Sequence, residues 1–253
     1  MTENGNPPAD MVAEAERVLS AARAAGVPIR LAGGLAVRRR HPAATRPPLA
    51  RIYGDLDVAF SSRSDRKALM RLMKSLGYRA DEMFNTLNGS QRLYFEHPQH
   101  GSHIDVFVDS VRMCHTIEFR DRLLYLDDTL SVTDLLLTKL QVIQLNHKDL
   151  LDTLAILHDQ ELVPGAHDRL DPRYLESLWG EDWPLWRTCQ LTLGKVRSLA
   201  SSVLEGEALE RVNRTLDDLD SLLLNGSKSV RWKLRARVGD RVRWYQLPDE
   251  LQG

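Results

Sequence analysis

Two carboxylates in the stretch Tyr53–Phe60 constrain this chain more than any other feature. Asp55 and Asp57 lie two residues apart in a stretch that reads as a β-strand at the rim of a core. Side chains alternate between the faces of a strand, so both carboxylates are expected on the same face. Two anions on one face repel each other unless a cation or a solvent-exposed edge relieves them. The stretch therefore predicts either a cation site or an exposed strand edge.

Two further elements belong with this strand. Upstream, Gly33 and Gly34 follow the apolar stretch Ile29–Ala32 and precede a helix predicted to open at Leu35. A strand, a glycine pair and a helix N-terminus in that order present free backbone N–H groups to an anion. Downstream, Asp105 lies in an apolar strand, where an unpaired charge is costly, so it needs a cation or an arginine. We interpret the three elements as one site with a phosphate-binding turn and three carboxylates for a divalent metal.

The composition is that of an ordinary globular chain. Of its 253 residues 43% are apolar and 27% charged, which suits one or two domains. The net charge of −1 by itself predicts neither a nucleic acid nor a membrane as partner. No apolar run reaches the roughly 18 residues of a membrane span, and the two cysteines, Cys114 and Cys189, have no CxxC spacing. We expect a cytoplasmic protein without a disulfide framework, a thiolate zinc site or membrane contact.

The pattern of apolar residues predicts an α+β chain. Residues 1–9 read as a disordered lead, residues 10–128 as a core with a mixed sheet flanked by helices, and residues 129–253 as a helical C-terminal domain. Periodicity and turn residues place the elements of the core, with helices at 10–25 and 64–76, strands at 29–32, 53–60, 92–96 and 103–109, and a candidate strand at 120–126. The later helices are predicted at 131–145, 146–159, 184–203 and 205–224, before a basic segment at 228–243.

The order of strand, Gly-Gly, helix, Asp-x-Asp strand and Asp strand resembles the DNA polymerase β-type nucleotidyltransferase superfamily. Gly33, Gly34, Asp55, Asp57 and Asp105 match its pattern position for position. The chain is most similar to the AbiEii/AbiGii-type bacterial toxin nucleotidyltransferases, which often read Gly-Gly-x-Ala followed by arginines. The resemblance covers roughly residues 27–160.

The resemblance implies a metal-dependent transfer of a nucleoside monophosphate from an NTP to a hydroxyl acceptor. It implies that Asp55 and Asp57 hold two Mg²⁺ ions, or Mn²⁺, and that Asp105 ligates the acceptor-side metal and acts as general base. Gly33 and Gly34 would let backbone N–H groups approach the β- and γ-phosphates.

A helical element of the same family also has a counterpart here. Relatives carry a lysine followed about ten residues later by a basic-Asp-x-x-Asp element, which Lys139, Lys148, Asp149 and Asp152 match. The resemblance implies that Lys139 contacts the triphosphate, with Arg38 or Arg39 as a second contact, and that Asp152 orients Lys139 or lies near the base. A lysine and two aspartates on helices are also common as solvated charges.

The resemblance implies an RNA acceptor, because toxins of this type extend the 3′ end of tRNA. A cognate antitoxin protein would then be a further partner. The arginine-rich loop 38–51 and the basic segment 228–243, with Trp232, Trp244 and Tyr245, would suit phosphates and unpaired bases. The alternative interpretation of the basic segment is an amphipathic terminal helix whose tryptophans pack on the domain.

Two other functions remain open from the sequence. The same chemistry on a small molecule such as an aminoglycoside would need an acidic pocket, for which Glu118, Asp121, Asp127 and Asp128 are candidates. A non-catalytic regulatory module on the same fold is the third hypothesis. The NTP preference and the oligomeric state do not follow from the sequence.

Overall fold

The computed structural model of the chain describes residues 10–247, so the lead predicted at 1–9 lies outside the described residues. The chain forms two compact units. The sheet unit comprises the chain as far as Ala36, Ile52–Val111 and Glu118–Leu130, and the helical unit comprises Val37–Arg51, Arg112–Ile117 and the chain from Ser131 onward. Sequence analysis predicted one boundary near residue 128, whereas the chain passes between the units several times.

Helices and strands alternate as far as Glu96, and three further strands follow. In order they are α1 (Met11–Ala24), β1 (Ile29–Leu31), α2 (Gly33–Arg40), β2 (Leu56–Phe60), α3 (Arg66–Ser75), β3 (Arg79–Ala80), α4 (Glu82–Asn88), β4 (Arg92–Glu96), β5 (His103–Val108), β6 (Ser110–Arg112) and β7 (Thr116–Glu118). A short 3₁₀ helix at Pro42–Thr45 follows α2. The carboxylates of Asp10 and Asp65 cap α1 and α3, which explains why these two helices begin where they do.

A five-stranded mixed sheet forms the centre of the sheet unit, with the strand order β1-β2-β5-β4-β3. The central pair β2 and β5 is parallel, and the other neighbours are antiparallel. Leu56, Val58 and Phe60 of β2 are buried, as are Ile104 and Val106 of β5. Alternate residues of the same strands point to the opposite face, and the predicted site lies there.

Most of the helical unit follows the sheet in sequence. Its helices are α5 (Val132–Leu140), α6 (His147–Asp159), α7 (Pro172–Glu181), α8 (Trp183–Val203), α9 (Gly206–Asn225) and α10 (Val230–Val238). All nine residues of α5 are buried, and Trp179 of α7 is fully enclosed. The predicted mixed α+β architecture with a helical C-terminal part is confirmed. Across residues 10–247, no helix is long and apolar enough to cross a membrane.

Several predicted elements differ from the structure. The strand predicted at 53–60 begins only at Leu56, so Asp55 precedes it, and α2 begins at Gly33 itself. The candidate strand at 120–126 is a series of turns, and α5 ends at Leu140 instead of residue 145.

Helix α4 lies inside a block that the sequence pattern predicted as β-rich. Its apolar side chains Met83 and Leu87 are both 76% exposed, while the polar Asn85 is buried and bonds to the backbone of Tyr94. A helix without an apolar buried face has no periodic signal to detect.

Candidate active site

Asp57 and Asp105 lie side by side on the central parallel strands. The register pairs Asp57 of β2 directly with Asp105 of β5. Directly paired residues of neighbouring strands project to the same face of a sheet, so both carboxylates belong to one face. Asp57 is half-buried and Asp105 is buried. The structure therefore brings together two of the three carboxylates that the sequence predicted.

Gly33 places the start of α2 against the carboxylate of Asp57. A Cβ built on Gly33 would lie 1.9 Å from Oδ2 of Asp57, a distance that no pair of nonbonded atoms tolerates. Gly33 also has a φ of +57°, which side chains disfavour. The backbone N–H of Ala32 donates to the carbonyl of Asp57 at 2.9 Å, which fixes the two segments together. Asp57 thus lies at the positive end of α2, where a negative charge is stabilised. Gly34 is buried in the first turn.

Asp55 continues the same face beyond the start of β2. Its Oδ1 lies 3.1 Å from Nε2 of His103, the first residue of β5, and the Asp55 side chain is 62% exposed. The His103 ring stacks on Tyr94 of β4 with a centroid distance of 5.3 Å. Burial and the nearby charge of Asp105 raise the pKa of Tyr94, as expected beside a group of carboxylates.

Arg92 of β4 binds the third carboxylate. Its Nε donates to Oδ1 of Asp105 at 2.7 Å, and the Asp105 side chain is only 8% exposed. The guanidinium also lies over the rings of Phe84 and Phe107, at 5.8 and 5.6 Å from their centroids. Oδ1 of Asp105 can therefore accept a proton or bind a metal ion only after this ion pair opens.

The residue types of this face fit a hard divalent cation, although Asp105 is bound to Arg92 and Asp55 contacts His103. Carboxylate oxygens are the ligands that Mg²⁺ prefers, and the Gly33 backbone leaves space beside Asp57 that a side chain would fill. Within residues 10–247, no three His, Cys, Asp or Glu side chains form a group ready to hold a metal ion. A metal ion bound at Oδ1 of Asp105 would displace Arg92, and one bound at Oδ1 of Asp55 would displace His103.

Sequence reasoning missed Arg92, Tyr94 and His103 as members of the site. Tyr94 pairs directly with Asp105 in the register of β4 and β5, and His103 lies two residues before Asp105 on the same face. The period-two spacing of His103 and Asp105 was a usable signal. Arg92 and Tyr94 could be found only from the strand register.

The lysine predicted to contact a triphosphate lies in a buried ion-pair cluster of the helical unit. Nζ of Lys139 is 2.6 Å from Oδ1 of Asp149 and 2.9 Å from Oδ2 of Asp152. Arg51 donates to both oxygens of Asp152 at 2.7 Å. Burial alone would lower the pKa of Lys139, but the two carboxylates raise it above its ordinary 10.5. The structure thus joins Lys139 to Asp152, as the resemblance implies, and gives Lys139 two anionic partners.

The other predicted residues are spread over the surface. Arg38 is half-buried in α2, and Lys148 is exposed on α6. Two acids of the predicted acidic pocket form ion pairs with arginines. Asp128 pairs with Arg23 at 2.6 Å and Asp121 with Arg63 at 2.7 Å. Asp127 and Asp128 line a surface cavity together with Arg23 and Arg30. Asp121 and Asp128 are therefore already paired with arginines and offer little unpaired negative charge to a polycationic acceptor such as an aminoglycoside.

The aromatic residues of the basic segment are packed. Trp232 meets Trp186 edge to face at 5.0 Å, and Trp244 meets Trp183 at 6.0 Å. The indole N–H of Trp244 donates to the hydroxyl of Thr188 at 3.0 Å. Of the two interpretations of the segment, the terminal helix with packed tryptophans matches this arrangement, and base stacking on Trp232 does not.

No protein-family model matches the chain, and no curated protein matches it with significance. The site must therefore be judged on its own residues and geometry.

Replacing Gly33 with Ala tests the close approach of α2 to Asp57. We expect a loss of about 3 kcal/mol or more in the free energy of unfolding, because strain at positive φ adds to the overlap with Asp57. Gly26→Ala is the matched control, since Gly26 has a φ of +66° but nothing within 4 Å of the added Cβ. It should lose only about 1–2 kcal/mol. Equal losses in urea unfolding for the two variants would contradict the contact.

Proposed function

We propose that the chain is a metal-dependent nucleotidyltransferase that moves an NMP from an NTP to a hydroxyl of RNA, with the 3′ end of tRNA as the expected acceptor. The observation that carries the proposal is the register of Asp57 with Asp105 beside the glycine start of α2. Acting as the toxin of a toxin–antitoxin pair is part of the same proposal and rests on the resemblance alone.

In this proposal Asp55, Asp57 and Asp105 hold Mg²⁺, which would neutralise the triphosphate and polarise its α-phosphate. The acceptor oxygen forms a bond to the α-phosphorus, the bond from that phosphorus to the bridging oxygen breaks, and pyrophosphate leaves with the bonding electrons.

The residues of the chain contribute position and charge. Gly33 fixes where the Asp57 carboxylate lies, and the N-terminus of α2 favours negative charge there. Arg92 holds the Asp105 carboxylate in place before substrate arrives. Once the ion pair between Arg92 and Asp105 opens, the guanidinium of Arg92 would donate to a phosphate oxygen. The freed Asp105 would accept the proton of the acceptor hydroxyl.

Incubating the protein with Mg²⁺ and each labelled NTP, with and without total tRNA, tests the proposal. We expect label on tRNA, loss of the label transfer with EDTA, and release of pyrophosphate in equal amount. An aminoglycoside added in place of tRNA distinguishes the small-molecule acceptor. A folded protein that labels neither acceptor with any NTP would contradict the proposal.

A further inference from the structure

One face of helix α10 packs against other helices of the helical unit. Ser229 caps it, and the backbone N–H of Ser229 donates to the carbonyl of Gly180 at 2.9 Å. Gly180 has no room for a Cβ, which would lie 2.5 Å from the carbonyl oxygen of Ser227. Trp232 packs from α10 onto Trp186 of α8. The face of α10 that carries Trp232 is therefore the inner face.

The outer face of α10 carries a row of aliphatic side chains. Val230, Leu234 and Val238 follow each other at four-residue spacing and are 73%, 56% and 40% exposed. Four residues of an α-helix advance by about 40°, so the three side chains form one ridge within an arc of about 80°. Single exposed aliphatic residues are common on protein surfaces, whereas three aligned on one ridge indicate a contact surface.

Cations border this ridge on both sides. Arg231 lies on one flank and Lys233 and Arg237 on the other, as the helical period requires, and all three are exposed. The acid of this segment, Asp240, is bound to Arg187 at 2.7 Å. The outer face of α10 is thus apolar along its centre and positive along both edges.

We propose that this ridge binds an acidic amphipathic helix of a partner protein. A row of side chains at four-residue spacing is the ridge that packs into the groove of a second helix. Charged residues on both flanks of such a seam select a partner with the opposite charge. The interaction does not depend on the proposed transfer activity.

Two other anionic partners, a lipid bilayer and RNA, match this face less well than an acidic helix does. A helix that lies on a bilayer surface buries a wide apolar face among the lipids, whereas this ridge is narrow. RNA is bound through its phosphates, which need the cations but leave the exposed aliphatic row without a contact. The aliphatic centre is the feature that indicates a helix.

The test uses a labelled synthetic helix with leucines on one face and glutamates on both flanks, with binding to the full chain followed by fluorescence anisotropy. Leu234→Ser should weaken binding about tenfold or more, since burying a leucine contributes at least that much. Arg237→Glu should also weaken binding and reduce its salt dependence. Leu87→Ser is the control, because Leu87 is equally apolar and 76% exposed on α4, and it should bind like the wild type.

Each other outcome counts against the inference. A glutamate-flanked helix that does not bind, or a lysine-flanked one that binds equally well, would overturn it. Binding of an unstructured RNA or of phosphatidylglycerol vesicles that Leu234→Ser weakens as strongly would assign the ridge to that partner instead. Circular dichroism of Leu234→Ser should match the wild type, because the side chain is exposed.

Discussion

Asp57→Asn is expected to abolish nucleotide transfer while the protein remains folded. The substitution keeps the size of the side chain and removes one negative charge from the face shared with Asp105. A site that works by stabilising charge in the transition state typically loses about 10²–10³-fold in rate when one of the stabilising groups is removed. We expect at least that loss in the labelled-NTP assay with tRNA.

Stability distinguishes this loss from unfolding. Removing one of several neighbouring anions relieves repulsion but also removes the charge that the N-terminus of α2 stabilises, so the midpoint of urea unfolding should change little. Asp121→Asn is a matched control, since this carboxyl is exposed and pairs with Arg63 away from the paired strands. Its activity and stability should resemble those of the wild type. If Asp57→Asn turned over normally, the assignment of Asp57 would be wrong.

Lys139→Met is expected to cost the largest amount of stability, about 3–5 kcal/mol, because it removes one partner from a buried ion-pair cluster. Lys139 is 8% exposed and Asp152 is 1% exposed, so water cannot replace the missing charge. Arg51 still binds Asp152 in the variant, but Asp149 loses its partner at 2.6 Å. Urea unfolding followed by circular dichroism measures the loss.

The pH dependence of this loss has a definite sign. Burial alone would raise the pKa of Asp152, but the charges of Lys139 and Arg51 lower it below the ordinary 3.8. A lowered carboxyl pKa stabilises the fold above the unfolded value, and this contribution disappears as the pH falls through the folded value. The raised pKa of Lys139 adds a stabilising contribution that is full below pH 10.5 and is lost only as the pH rises through the folded value. The difference between wild type and variant should therefore be full near neutrality and shrink below about pH 4.

Two further variants separate charge from packing. Lys148→Met on α6 removes an exposed lysine and should change the stability by less than about 0.5 kcal/mol. Combining Lys139→Met with Asp149→Asn restores the balance of charge and should recover part of the loss. No recovery, together with a loss of similar size in Lys148→Met, would show that the cluster is not what stabilises this region.

The sequence predicted the elements of the site better than their partners. The two-residue spacing of acids and the apolar stretches around Asp57 and Asp105 were enough to predict strands with carboxylates on one face. Periodicity cannot show that β4 lies beside β5 in the register that carries Arg92 to Asp105.

The same limit applies in the helical unit. Family spacing pointed to Lys139 and Asp152, yet Arg51 binds Asp152 from 101 residues away in the chain. Contacts of this kind depend on long-range packing and leave no local pattern. The helix α4 escaped prediction for a different reason, since its apolar side chains Met83 and Leu87 face outward.

The alternation of the chain between its two units has a consequence for how this protein can be divided. A gene segment that starts at residue 131 would encode the helices from α5 to α10 but omit Val37–Arg51, which belongs to the same compact body. Such a fragment would lack Arg51 and leave Asp152 with one cation instead of two. Neither unit is encoded by one continuous segment of the gene. Recombination at a single junction between the units would therefore separate residues that must fold together.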